Sequence, residues 1–155
     1  LLGKGSQEEK LREIISTSEF SDRIYFGGYQ SLATLPDVYR SADVFLSASH
    51  CDGSSVSLME ALACGLPALV SDIPGNQEWI ETDSNGWIFR DNDIQHMANL
   101  MLSISQDADL PEKRLRARAV AEAKADWHKN FPVLLDAYQA AINLCGKKPN
   151  LMESL

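Results

Sequence analysis

The stretch from His50 to Asp72, "HCDGSSVSLMEALACGLPALVSD", holds the residue types that could do chemistry. Two acids, Asp52 and Glu60, stand with seven residues between them, all small or apolar. A carboxylate accepts hydrogen bonds from neutral hydroxyls, and sugars offer hydroxyls in pairs. Gly53, Ser54 and Ser55 carry little bulk, so a ligand can approach the backbone there. The residues after them have helical spacing, and a helix amino terminus presents unpaired N–H groups and partial positive charge. A diphosphate on those N–H groups, with hydroxyls held by the acids, is the layout of a sugar nucleotide. Plainer readings stand beside that one. Asp52-Gly53 is an ordinary turn pair, and Asp is a common helix cap. Ser57 to Glu60 fits a capping box, in which Glu60 serves only the helix.

Such a site needs elements to position it. "QEEKLREII" has helical spacing, with Leu11, Ile14 and Ile15 on one face. "RIYFGG", Arg23 to Gly28, reads as a strand closed by glycines. "LATLPDVYRSA" is a helix with Pro36 in its first turn. "DVFLSAS" is a strand, "SVSLMEALACG" a helix stopped by Gly65, and "PALVSD" the next strand. "GNQEWIE" is a turn or short helix, and "GWIF" a further strand. In "DIQHMANLMLSIS", Ile94, Met97, Leu100, Met101 and Ile104 form an apolar face. "DLPEKRLRARAVAEAKADW" is rich in helix formers, and its basic side (Lys113, Arg114, Arg116, Arg118) is expected to face solvent. "NFPVLLDAYQAAINLCG" closes as an amphipathic helix, and residues 147–155 read as a weakly ordered tail. Short apolar strands alternating with helices imply a doubly wound, Rossmann-like α/β fold: a parallel sheet with helices on both faces. Ligands of such sheets bind beyond the carboxyl ends of the strands. Three loops leave strands there: "GGYQ", "SASHCDGSS" and "SDIPGN".

The 155 residues are 45% hydrophobic and 23% charged, enough for one globular domain with a core. A net charge of −8 argues against a broad nucleic-acid or anionic-membrane surface. Cys51, Cys64 and Cys145 form no C-x-x-C pair and read as free thiols of a reducing, cytoplasmic compartment. His50, His96 and His128 are scattered, so no metal site is expected. No signal peptide or long apolar span is visible.

The region "ADVFLSASHCDGSSVSLMEALACGLPALVSDIPGNQEWI" resembles the donor-binding half of the retaining glycosyltransferases with the GT-B fold. It is similar to the large family, glycosyl transferases group 1, that includes sucrose synthase and many bacterial sugar transferases. The motif reads here Asp52, Gly53, Glu60, Ala61, Ala63, Gly65 and Pro67, and the likeness runs from about Leu1 to Tyr138. The resemblance implies a carboxy-terminal donor domain spanning residues 1–146. It implies transfer of a sugar from a nucleotide diphosphate, such as a UDP-sugar, to a saccharide or lipid-linked acceptor, with retained configuration and no cofactor. Glu60 would hold the ribose hydroxyls, and Asp52 would contact the donor sugar as the catalytic acid residue. The backbone of Gly53, Ser54, Ser55, Val56 and Ser57 would approach the sugar and diphosphate. Gly28 and Tyr29 would lie near the base. Asp52 is one methylene shorter than the family's usual glutamate.

The family places a basic pair for the diphosphate ahead of "LLGKG", and Lys4 is the nearest cation in this chain. An amino-terminal part of a larger protein, with the acceptor domain, is therefore expected to precede Leu1. The chain alone is expected to be catalytically silent. "RIYF" is expected to pair with "DVFL" or with another chain. Two rivals remain: a nucleotide-sugar epimerase of the same architecture, and a non-catalytic sugar-nucleotide-binding domain.

Overall fold

The computed structural model describes residues 1–145; the expected tail, 147–155, lies outside the described residues. The chain divides into two units, one from Leu1 to Ala42 and one from Asp43 onward.

The first unit carries helix α1 (Glu8–Ser16), a 3-10 turn (Ser21–Arg23) and helix α2 (Leu35–Ser41). Pro36 lies in the first turn of α2, where its missing N–H costs no hydrogen bond. "RIYFGG" is not a strand. Arg23 closes the 3-10 turn, and the segment after it makes one parallel bridge, Leu2 to Gly28. Gly27 N–H donates to Leu1 O and Gly3 N–H to Gly28 O, both at 2.8 Å. The partner is only Leu1-Leu2, too short for a ladder.

The second unit holds strand β1 (Phe45–Ser47), helix α3 (Val56–Ala63), strand β2 (Ala68–Ser71), helix α4 (Pro74–Gln77) and strand β3 (Gly86–Phe89). Helices α5 (Ile94–Ile104), α6 (Leu110–Lys124) and α7 (Trp127–Cys145) follow. The sheet is parallel in the order β1-β2-β3, with Leu46 beside Leu69 and Leu69 beside Trp87.

β2 is buried along its whole length, and its side chains alternate between two cores. Ala68 and Val70 join Leu58 and Leu62 of α3, Trp79, Ile80, and Ala117 and Ala121 of α6. Leu69 faces the other way, with Trp87, Phe89 and Ile104 of α5. Helices thus cover both faces, as the continuous apolar run of β2 demanded. Ala117 and Ala121 let α6 approach α3 closely, and each fully buried leucine contributes about 1.5–3 kcal/mol. α3 ends in a Schellman turn. Gly65 takes φ +70°, its N–H donates to Leu62 O, and Leu66 N–H donates to Ala61 O.

Two surface expectations hold only in part. Of the expected apolar face of α5, Ile104 is buried and Met97 and Leu100 pack against the core, while Ile94 and Met101 are exposed. The basic side of α6 is solvated only in part: Arg118 is exposed, whereas Lys113 is buried. Lys113 is only 5% exposed and lies 3.2 Å from both Asp107 and Asp109. Arg116 binds Asp109 and the Ser84 carbonyl, and Arg118 donates to Ala63 O at the end of α3. For Lys113 and Arg116 the cause is the α5–α6 connection, whose Asp107 and Asp109 lie close enough to pair with them. α7 begins at Trp127, earlier than expected, contains Pro132 and buries none of its residues.

Candidate functional site

In the second unit, the loops that follow β1, β2 and β3 gather at the carboxyl ends of the strands. The first, from Ala48 to Ser55, carries Asp52. Asp52, Gly53 and Ser54 are exposed, and Ser55 turns inward. Ser55 is the cap of α3. Its Oγ accepts the Leu58 N–H at 3.4 Å and lies 3.1 Å from Ser57 Oγ. Neither Asp52 nor Ser57 is the cap, so the capping box from Ser57 to Glu60 does not form. Glu60 lies one turn inside α3 and is half-buried. Val56 and Ser57, which open the helix, are exposed. The first turn of α3 and the Asp52 loop therefore present one accessible surface of backbone N–H groups beside a carboxylate.

The loop is held from behind. Gly75, in the first turn of α4, packs against the Asp52-Gly53 backbone, and a Cβ there would lie 1.7 Å from the Gly53 carbonyl oxygen. Ser71, at the end of β2, donates its hydroxyl to the Ser49 carbonyl. Asn76 is buried and donates to Ser71 O at 2.9 Å. A fully buried hydrogen-bonded Asn is costly to place and fixes geometry once satisfied. Asn85, also fully buried, donates to Trp79 O and accepts from Glu81 N–H, both at 2.8 Å. That pair of bonds sets the connection from α4 to β3. Finally, His50 Nδ1 lies 2.6 Å from Asp91 Oδ1, joining the loop after β1 to the loop after β3.

Sequence reasoning named Asp52, Gly53, Ser54, Ser55, Val56, Ser57 and Glu60, and the fold brings all of them to the one loop and helix start. It missed Ser71, Gly75, Asn76 and the His50–Asp91 pair. The loops "SASHCDGSS" and "SDIPGN" were placed at the ligand end of the sheet, but nothing in them assigned these residues a role. Gly28 and Tyr29 belong to the first unit, where Tyr29 is 75% exposed and Gly28 bonds Gly3. A cavity of about 480 Å³ lies elsewhere in the second unit, among Val44, Leu46, Leu69, Met101 and Ile104, and no expected site residue lines it. Among the described residues, no group of three His, Cys, Asp or Glu is arranged to hold a metal ion. No described helix is long and apolar enough to cross a membrane.

The family model described as "Glycosyl transferases group 1" matches residues 1–126. The chain belongs to this family. A curated relative, the amylovoran biosynthesis glycosyltransferase AmsK of Erwinia amylovora, is 32% identical over 135 residues. That match spans 83% of this chain and 33% of AmsK. Among solved structures, sucrose-phosphate synthase from Thermosynechococcus elongatus superposes with a TM-score of 0.82 at 20% identity, over 90% of this chain and 35% of that one. The pneumococcal O-GlcNAc transferase GtfA, in complex with UDP and GlcNAc, gives a TM-score of 0.68 at 28% identity, over 86% of this chain and 29% of that one. The chain thus spans about a third of these relatives. The doubly wound GT-B glycosyltransferase fold expected from the family's motif is the fold it shares with them.

Proposed function

We propose that this chain binds the donor in a retaining glycosyltransferase, which moves a sugar from a nucleotide diphosphate to an acceptor. The observation that carries the reading is the arrangement around α3. Its capped amino terminus is open to solvent, with Asp52 exposed on the preceding loop and Glu60 one turn inside the helix. Glu60 holds the ribose hydroxyls, and Asp52 contacts the donor sugar. The backbone N–H groups from Ser55 to Ser57 receive the diphosphate beside Gly53 and Ser54. GtfA, a similar protein, was solved with UDP and GlcNAc, which supports a nucleotide-sugar donor here.

The chemistry asked of these residues is placement and charge stabilisation. The diphosphate leaves with growing negative charge, and fixed N–H groups at a helix start stabilise that charge without rearranging. Holding the sugar and leaving group in one geometry removes much of the entropic part of the barrier. Binding of UDP and of UDP-sugars to the protein that carries this chain, measured by calorimetry, tests the reading. Binding that Glu60→Gln weakens supports it. Absence of heat with every nucleotide sugar overturns it.

A further inference from the structure

We infer that His50 and Asp91 are a positioning pair that sets Asp52, and through it governs how firmly the donor's sugar is held. The inference rests on the proposed reading of Asp52 and extends it to two residues outside the family's motif.

The sheet order places β2 between β1 and β3. A bond from the loop after β1 to the loop after β3 therefore crosses the carboxyl end of β2, where donor chemistry is proposed. A carboxylate only accepts, so at 2.6 Å the His50 Nδ1–H donates to Asp91 Oδ1. The Asp91 side of the bond is anchored. Its other oxygen accepts from Asn92 Nδ2 at 3.1 Å. Asn92 takes φ +61°, a left-handed conformation that Asn tolerates. The next residue, Asp93, caps α5 by accepting the His96 N–H at 2.8 Å, and the Arg90 N–H donates to His96 Nδ1 at 3.1 Å. Asp91 thus sits on a turn pinned to the start of a helix.

The His50 side is the loop that carries Asp52. That loop is attached through Ser49 O to Ser71, through His50 to Asp91, and through the Asp52-Gly53 backbone against Gly75. Asp52 is held at its carbonyl by the Gly75 contact and on its amino side, through Cys51, by His50. Without the His50 bond, Asp52 keeps only the contact at its carbonyl, and its side chain can turn about it. α3 does not depend on the bond, because Ser55 caps it and Leu58 and Leu62 anchor it in the core. Glu60 should keep its place while Asp52 loses it. The pair is exposed, with the His50 side chain 66% accessible, and such pairs contribute little to global stability. Its effect should therefore appear in ligand geometry and not in melting.

The test uses the full-length protein that carries this chain, with UDP, UDP-glucose and UDP-N-acetylglucosamine as probes. His50→Ala and Asp91→Ala should each weaken binding of the preferred UDP-sugar by about tenfold, since small misplacements at a reacting centre have large effects. Affinity for UDP itself should stay within about twofold, and the double variant should be no worse than either single one. His50→Asn keeps a donor near the Nδ1 position and should restore most of the sugar-dependent affinity. Melting temperature should not move in any of them. If Asp52→Ala loses the sugar contribution and His50→Ala does not, the pair positions nothing and the inference falls alone. If UDP and UDP-sugar affinities fall together, the pair supports the fold and the inference is overturned. If the unaltered protein binds none of the three probes, the donor reading falls and takes this inference with it.

Discussion

Gly75 lies so close to Gly53 that the backbone of one occupies the space a side chain of the other would need. Gly75→Ala must push the Asp52 loop or α4 out of place. The expected cost is about 1–3 kcal/mol, as for other overpacked sites. Donor affinity should fall further than stability alone explains, by at least about tenfold. Urea midpoints paired with calorimetry check this. An alanine variant with unchanged donor affinity would mean that the loop's position does not matter to the ligand.

Glu60 is half-buried inside α3 and outside any capping box. Its exchange for Gln removes a charge and keeps the shape. A hydrogen bond to a charged group contributes about 1.5–3 kcal/mol. Glu60→Gln should therefore weaken UDP binding by about ten- to a hundredfold, with little change in melting temperature. Equal affinities for UDP in the two proteins would remove Glu60 from the ribose.

Ser54 and Ser55 are neighbours with opposite duties. Ser55 is only 7% exposed and caps α3, so a bulky residue there tests the fold and not the ligand. Ser55→Ala should cost about 1 kcal/mol, lowering the melting temperature by about 2–4 °C. Ser54 points to solvent, and Ser54→Phe should leave melting unchanged while blocking the donor. Scanning calorimetry and donor titration on both variants separate the two roles. If Ser54→Phe binds donor normally, the ligand does not approach that backbone.

The cluster around Lys113 predicts a pH response of stability. Hydrogen bonds from Lys113 and Arg116 hold the Asp109 carboxyl below its ordinary range. Burial works to lower the Lys113 pKa, but bonds to Asp109 and Asp107 outweigh it and hold the amine above its ordinary range. Asp109 therefore stabilises the fold above the ordinary carboxylate range and stops doing so as pH falls through its lowered value. Lys113 does so below the ordinary lysine range, and its share is lost as pH rises through its raised value. The cluster is intact from about pH 4 to about pH 10. Asp109→Asn should lower stability at neutral pH and flatten the acid limb of a melting-temperature profile. An acid limb identical to the parent's would show that Asp109 is not coupled to folding.

The sheet was legible because β1, β2 and β3 are short apolar runs between helical spacings, and β2 is apolar on both faces as a central strand must be. The motif residues were legible because the stretch from Asp52 to Pro67 resembles the family's pattern; their spacing alone fits a turn and a helix cap as well. "RIYF" was not legible as an irregular segment, since its β-branched and aromatic residues describe a strand wherever a partner exists. The basic side of α6 was misread in part for a related reason. Charges at helical spacing look solvated, and the aspartates that bury Lys113 lie outside that helix, in the connection before it. Ser71 and Asn76 were invisible because their function is to bond one another, a relation that only the folded loops create.

The frame and the recognition surface occupy different parts of the chain. Gly75, Ser71 and Asn76 decide where the loop stands, while Asp52 and Ser54 offer exposed side chains that hold nothing else in place. On the proposed donor reading, point mutations at 52 and 54 should therefore change which sugar is favoured at little folding cost, whereas mutations at 71, 75 and 76 disturb the loop itself. Such a division makes a scaffold evolvable. On the resemblance that sets a glutamate at this position, the shorter Asp52 is a change this frame can absorb.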